Sequence, residues 1–169
     1  NANILSIRAI DNNGHGNISG IIAAMEYALN QGAEIINLSI SSRTTMLNSV
    51  LESEIKKAVS AGASVIAAAG NDGADVKDYM PGSVNEAIVV GACNESGERL
   101  SSSNYGYTVD YNVVADSTSQ AAAKYSGYIS SHDYIDLNSG LIFSPDYSEM
   151  VSDNDKKQLR AYYMLYDQT

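Results

Sequence analysis

The chain has 169 residues, of which 44% are hydrophobic and 18% are charged, so it is long and apolar enough to fold around a core. Its formal net charge of -10 argues against a phosphate-binding surface, and therefore against nucleic acid as a partner. We see no apolar run that approaches the roughly 18 residues of a membrane span. The first residues lack a basic, apolar signal-peptide pattern, so we expect any secretion signal to lie outside this sequence.

Short runs of apolar and β-branched residues predict the buried strands of a parallel sheet. The four runs are residues 4–10, 34–40, 64–69 and 87–93. An amphipathic helix is predicted between the first two runs, ending before Gly32, and another between the second and third, ending before Gly62. Strands that alternate with helices are typical of right-handed crossovers. We therefore predict an α/β fold with a mostly parallel sheet flanked by helices.

The composition changes in the last third of the chain, where ten of the twelve tyrosines lie at or after Tyr105. We interpret the tyrosines of the tail as packing residues rather than a binding stripe. A final helix is predicted from Ser152 to Tyr166, because acidic residues occupy its first turn.

The single cysteine, Cys93, ends the predicted strand 87–93 and has no second cysteine with which to form a disulfide. We expect a buried structural thiol, because a nucleophilic cysteine needs a neighbouring base. His132 lies in the tyrosine-rich tail and is expected at the surface.

Gly14, Gly16 and Gly20 follow the first predicted strand and open the first predicted helix, as the glycines of a dinucleotide-binding turn do. Such a site also needs an acidic residue at the end of the next strand to hold the ribose. That strand ends instead with the sequence NLSI at residues 37–40. We therefore reject nucleotide binding.

The strand predicted over residues 64–69 leads into Gly70, Asn71, Asp72 and Gly73. Ligand sites of open parallel sheets lie at this carboxyl end of the strands. One interpretation is a simple turn, because asparagine and glycine both tolerate turn conformations. The other is chemical, because the side-chain amide of Asn71 is able to donate to a developing oxyanion.

The segment Ser117-Thr118-Ser119 precedes several small residues and predicts the start of a helix. The small neighbours leave the hydroxyl of Ser119 accessible, and a helix N-terminus favours negative charge at that point. A serine helix cap is one interpretation of this segment, and a nucleophilic serine is the other.

Five segments, in order, resemble blocks of the subtilisin-like serine proteases. They are residues 2–41, with DNNG and INLSI; 64–73, with AAAGNDG; 79–93; 99–115, with SNYG; and 117–127, with STSQAAAKYSG. The resemblance implies the back half of a subtilisin-like catalytic domain that lacks the N-terminal strands. On this basis we treat residues 1–169 as one domain, with a family-like core over residues 1–130 and a divergent tail over 131–169.

The resemblance implies a role for each of these segments. Ser119 corresponds to the nucleophile of the family and Asn71 to its oxyanion asparagine. A peptide substrate is expected to lie between residues 13–16 and 39–42, with residues 67–70 walling the pocket for the side chain before the scissile bond. The substrate-binding residues on this basis are His15, Gly16, Ser39, Ile40, Ser41, Ala69 and Gly70.

A serine nucleophile also needs a general base and an acid that orients it, and the family's motifs for both are missing from this sequence. No Asp-Thr-Gly or Asp-Ser-Gly triplet occurs. His15 lies between two glycines, but the helix after it leads into residues 34–40, which match a later crossover of the family. We interpret His15 as a residue of the cleft rim. Further departures are Ser117, Ala123 and Lys124, where the family has glycine, proline and histidine.

We therefore expect part of a serine endopeptidase that hydrolyses peptide bonds through an acyl-enzyme on Ser119 and is inactive as this chain alone. The alternative is a degenerate pseudoprotease that binds peptide or protein. The resemblance favours an extracellular or cell-envelope location. We expect no cofactor and no metal, since the calcium sites of the family cannot be located in this sequence.

In the family, the strand that carries the catalytic aspartate lies between the strands matching residues 4–10 and 34–40. Without that strand, both segments would present open edges. We expect them to pair with each other, to recruit the tail, or to associate with the missing N-terminal half or a second copy of the chain.

Overall fold

The computed structural model describes residues 2–44, 49–131 and 141–143. The helices of these residues are α1 (Ile18–Asn30), α2 (Ser49–Ser60) and α3 (Thr118–Ile129), with a short 3₁₀ helix at Val76–Asp78. The strands are β1 (Ile35–Leu38), β2 (Ser42–Arg43), β3 (Ser64–Ala68), β4 (Tyr79–Met80), β5 (Ile88–Cys93), β6 (Val109–Val114) and β7 (Ile142–Phe143). No helix of the described residues is long and apolar enough to cross a membrane.

The main sheet has the strand order β1-β3-β5-β6-β7. In this sheet, β1, β3, β5 and β6 run parallel to one another, and β7 runs antiparallel to β6. A separate two-stranded pair is formed by β2 and β4, which run antiparallel. The predicted α/β class, with a mostly parallel sheet and flanking helices, is confirmed.

The side chains of the sheet alternate between two apolar layers. One layer packs with α1 and α2 and includes Ile36 and Val65, whereas the other packs with α3 and includes Ile66 and Val90. Burial on both faces explains why these strands are almost continuously apolar. The parallel strands therefore end together at one edge, where α3 begins.

The two predicted helix ends are confirmed. Asn17 caps α1 by accepting a hydrogen bond from the Gly20 amide at 2.7 Å. Beyond the last turns of α1 and α2, Gly32 has a φ of +79° and Gly62 a φ of +93°. Glycine adopts this left-handed conformation without the clash that a Cβ atom would introduce.

The predicted strand over residues 4–10 is wrong, because this segment has no regular secondary structure and pairs with no strand of the described chain. Ile4 is 89% exposed and Leu5 is 47% exposed, whereas Ile7 and Ala9 pack against the core. An apolar run indicates burial of side chains but does not supply a backbone partner. One edge of β1 is consequently left without a neighbouring strand in the described sheet.

An irregularity in the β5–β6 pairing places the carboxylate of Asp110 where its pKa is raised. Val89 is paired with Val109 and Val90 with Tyr111, so Asp110 is an extra residue in β6. Its Oδ2 atom accepts a hydrogen bond from the Val89 amide at 2.7 Å. Desolvation by the surrounding atoms raises the pKa of Asp110 to about 6, although the residue as a whole remains exposed, and the bond from Val89 offsets part of that shift.

Cys93 ends β5 and is buried, as predicted for a structural thiol. Burial raises the pKa of its thiol to about 11, which keeps the group protonated near neutral pH. His132 and the predicted helix from Ser152 lie outside the described residues.

Candidate active site

The chain turns sharply where β3 ends. Ala69 is fully buried and its amide still bonds to the Val90 carbonyl at 3.0 Å, as the strand did. Gly70 then takes a φ of +103°, which turns the backbone and leaves Asn71 exposed to solvent. The turn therefore presents the Asn71 side chain at the carboxyl edge of the sheet.

The N-terminus of α3 meets this turn. Ser117 caps the helix by accepting a hydrogen bond from the Gln120 amide. The next residue, Thr118, is fully buried, and its amide and its hydroxyl both donate to Asn71 Oδ1, at 2.9 and 3.1 Å. The Gly70 amide in turn donates to Thr118 Oγ1 at 3.2 Å. Two donors thus hold Asn71 Oδ1, and Nδ2 donates to no acceptor of the described chain.

Ser119 is linked to the end of β1 by two reciprocal hydrogen bonds. Ser39 Oγ donates to the Ser119 carbonyl at 2.9 Å, and Ser119 Oγ donates to the Ser39 carbonyl at 3.3 Å. Asn37 supports the pair, because its Nδ2 donates to Ser39 Oγ at 2.9 Å. Within the described residues, no titratable side chain is hydrogen-bonded to the Ser119 hydroxyl.

The segment after Ser39 passes beside the turn at Gly70. A Cβ atom added to Gly70 would lie 2.6 Å from Ser41 Oγ, so the Ser41 side chain packs closely against the Gly70 backbone. Ile40 packs partly against the core, and the chain continues into β2, where Arg43 is paired with Tyr79 of β4. Burial raises the pKa of the Tyr79 phenol, and a hydrogen bond with Asp72 adds to that shift.

His15 and Gly16 lie in a different group. They line a surface depression of about 480 Å³ together with residues 8–11 and Asn17. The turn before them is held by Asp11, whose Oδ1 accepts hydrogen bonds from the Asn13 and His15 amides, both at 2.8 Å. The His15 side chain is 82% exposed, with Nδ1 4.0 Å from Asp11 Oδ2. No hydrogen bond of the described chain joins this group to Asn71 or Ser119.

The predicted site residues thus fall into two sets. Hydrogen bonds link Ser39 to Ser119 and, through Thr118, Gly70 to Asn71, and Ser41 lies beside Gly70. Ala69 and Ile40 adjoin these residues in the chain, and Ile40 packs against the core. His15 and Gly16 share no such contact with them. The sequence interpretation missed Thr118, which bridges the two motifs, and Asn37, which supports Ser39. Nothing in the local sequence distinguishes Thr118 from an ordinary residue of a first helical turn.

The described residues contain no group of three or more histidine, cysteine, aspartate or glutamate side chains arranged to hold a metal ion. Among the described residues, this edge of the sheet presents a hydroxyl, an amide donor and a helix N-terminus.

Comparison with known proteins gives matches to one family. A sequence model of the subtilase family matches residues 1–141. The thermophilic serine proteinase of Bacillus sp. (strain AK1) is 42% identical over 115 residues, covering 68% of this chain and 27% of that protein. The extracellular serine proteinase of Thermus sp. (strain Rt41A) is 33% identical over 117 residues, covering 68% of this chain and 28% of that protein.

The fold has matches among solved structures. A cold-adapted subtilisin-like serine proteinase superposes with a TM-score of 0.65 at 24% identity, over 75% of this chain and 53% of that one. At this identity the likeness concerns the fold. The chain spans about a quarter of the length of the two relatives above.

Proposed function

Because this chain belongs to the subtilase family, we propose that it is one part of a serine endopeptidase that hydrolyses peptide bonds through an acyl-enzyme on Ser119. The observation that carries the proposal is the direct contact between the two motifs, in which Thr118 donates twice to Asn71 Oδ1. This contact supports a shared site for Asn71 and Ser119 at one edge of the sheet.

In the proposed reaction, Ser119 Oγ attacks the scissile carbonyl carbon while a general base removes the hydroxyl proton. The carbonyl oxygen becomes an oxyanion, and Asn71 Nδ2 donates a hydrogen bond to it. The fixed Oδ1 supports this role, because it leaves Nδ2 as the free end of the amide. For subtilisin, the general value for losing such a donor is about 10²- to 10³-fold in kcat.

The substrate is proposed to be a peptide or protein chain in an extended conformation. Ser39, Ile40 and Ser41 would hold its backbone on one side, with His15 and Gly16 on the other. Ala69 and Gly70 would wall the pocket for the side chain before the scissile bond. The close approach of Gly70 to Ser41 supports a narrow junction between that pocket and the segment that would bind the substrate backbone.

We propose that the base and its orienting acid come from outside these 169 residues, together with a strand that fills the space beside β1. Within the described residues, β1 has no neighbour on one edge and the segment before α1 pairs with no strand, and both observations support this arrangement. The hydrogen bond from Ser119 to a backbone carbonyl supports it as well, because a carbonyl oxygen does not take the proton.

A second candidate is a degenerate pseudoprotease that binds peptide or protein without cleaving it. One observation favours it: Lys124, at a position where the family has histidine, donates to the Val114 carbonyl at 2.7 Å and so replaces the family residue with a structural contact. The residues that precede this segment in the parent protein distinguish the two candidates. Intact aspartate and histidine motifs there support the peptidase.

Labelling with a serine-directed fluorophosphonate tests the proposal. The 169-residue chain should react no faster than its Ser119→Ala control, because a serine without its base loses most of its reactivity. The complete protein should be labelled rapidly and only when Ser119 is present. Rapid Ser119-dependent labelling of the chain alone would contradict the proposed division of the site. If Ser119-dependent labelling is also absent from a complete protein, the result favours the degenerate pseudoprotease.

An extracellular or cell-envelope location is proposed by analogy, since one relative is named an extracellular serine proteinase. The remaining proposed partner is the N-terminal half of the catalytic domain or a second copy of the chain, either of which would pair with the edge of β1.

A further inference from the structure

Asn104 has no accessible surface and makes four hydrogen bonds to the turn that carries Asn71. Its Nδ2 donates to the Ala69 carbonyl at 2.9 Å, and its own amide donates to the Gly70 carbonyl at 2.9 Å. Its Oδ1 accepts from the Asp72 and Ala74 amides, both at 3.0 Å. The contacted residues lie on both sides of Asn71, so a single buried side chain fixes the backbone before and after it.

The segment that carries Asn104 is itself held in place. Arg99 Nη1 donates to the Leu100 carbonyl at 2.9 Å and to the Ser103 carbonyl at 2.6 Å, and its guanidinium lies 5.0 Å from the centre of the Tyr105 ring. The Tyr105 amide and carbonyl bond to Ala74 and Val76, which extends the contact along the turn. Asn104 therefore connects the turn to a braced segment rather than to a free loop.

We propose that Asn104 is a positioning residue that sets the direction of the Asn71 amide. Thr118 fixes the end of the Asn71 side chain, whereas Asn104 fixes the backbone from which that side chain departs. Loss of either restraint lets Nδ2 move away from the place where an oxyanion forms, and hydrogen-bond strength depends steeply on that geometry. The inference rests on the proposed function of Asn71.

A double-mutant cycle in the complete peptidase tests this dependence. Asn104→Ala should lower kcat by about 10- to 100-fold, part of the loss expected for removing the donor itself, and change KM by less than about threefold. In an Asn71→Ala background the same substitution should cost less than about threefold, because its effect passes through Asn71. A full penalty in that background would show a general structural role and overturn the inference.

Thr108→Val is the matched control. Thr108 is buried in the same segment, and its hydroxyl donates at 2.7 Å to the carbonyl of Gly82, a residue outside the Asn71 turn. The control removes one buried hydrogen bond and should leave kcat within about threefold of the parent in both backgrounds. A loss of kcat equal to that of Asn104→Ala would mean that any loosening of this segment suffices, and would also overturn the inference.

A second measurement separates this inference from the proposed function. In proton–nitrogen correlation spectra of the 169-residue chain, the Asn71 side-chain amide is assigned by its loss in Asn71→Ala. Asn104→Ala should shift that signal, and Thr108→Val should not. A complete protein without Ser119-dependent hydrolysis refutes the proposed function, and the amide signal then decides alone. An unshifted signal in Asn104→Ala overturns the positioning role in either case.

Discussion

Replacement of Gly70 by alanine is expected to destabilise the fold through two separable effects. The residue has a φ of +103°, a region that side chains with a Cβ atom rarely adopt. An added Cβ would also lie 2.6 Å from Ser41 Oγ and closer still to Asn104 Nδ2. The first effect is backbone strain, and the second is overpacking against two residues of the site.

The magnitude follows by comparison with Gly62, which has a φ of +93° and no atom within 4 Å of an added Cβ. Backbone strain alone should cost about 1–2 kcal/mol there. At Gly70 the clash adds about 1–3 kcal/mol, because Asn104 is fully bonded and cannot move away without breaking hydrogen bonds. We therefore expect Gly62→Ala to lose about 1–2 kcal/mol and Gly70→Ala about 2–5 kcal/mol of unfolding free energy.

Urea denaturation at 25 °C measures both values under the same conditions. The midpoints should fall in the order parent, Gly62→Ala, Gly70→Ala, with the dependence on urea concentration unchanged if unfolding stays two-state. Equal losses at the two positions would refute the reasoning, because they would show that the Asn104 side chain yields at no cost.

Two further predictions concern charge and association. Asp110→Asn should become more stable relative to the parent between pH 4 and pH 7, by about 1 kcal/mol. Because the folded-state pKa of Asp110 is raised, protonation of this carboxyl stabilises the fold of the parent below the unfolded-state pKa, and this stabilisation is lost as the pH rises through about 6. Solvent exposure of the residue reduces the size of the effect. A constant difference across this range contradicts the assignment. By sedimentation equilibrium at tens of micromolar, the chain alone should be larger than a monomer, because one edge of β1 has no neighbour among the described strands. A strict monomer with cooperative unfolding would contradict this prediction and mean that the sheet has closed on itself.

The parallel core was predictable from the sequence because strands that are buried on both faces have almost continuous runs of apolar residues. Residues 65–69 and 87–93 contain no charged or strongly polar side chain, and the strands found there are β3 and β5. Residues 4–10 show the limit of the signal. They are mostly apolar, with Ser6 and Arg8 as the polar positions, but a strand exists only when a neighbour supplies hydrogen bonds, and no neighbour is present in the described chain. The residue types of a segment do not show whether a neighbouring strand is present.

Two candidate site residues could be singled out from the sequence because their residue types have a specific chemical use. Asn71 and Ser119 stand out because an amide donor and a hydroxyl occur at the ends of a strand and at the start of a helix. Asn104 and Thr118 act through burial and hydrogen-bond direction, which depend on segments more than 30 residues away. Such long-range contacts have no local pattern, so the sequence did not reveal them.

The two outer edges of the main sheet differ in length, and this difference limits how copies of the chain can assemble. The edge at β1 has four residues, whereas β7 at the opposite edge has two. Two copies that join through β1 use the same surface on each partner and are related by a two-fold axis. This two-fold pairing buries the β1 edge of both molecules and leaves only their β7 edges exposed. Association through β1 therefore stops at a closed dimer and does not propagate into a fibre.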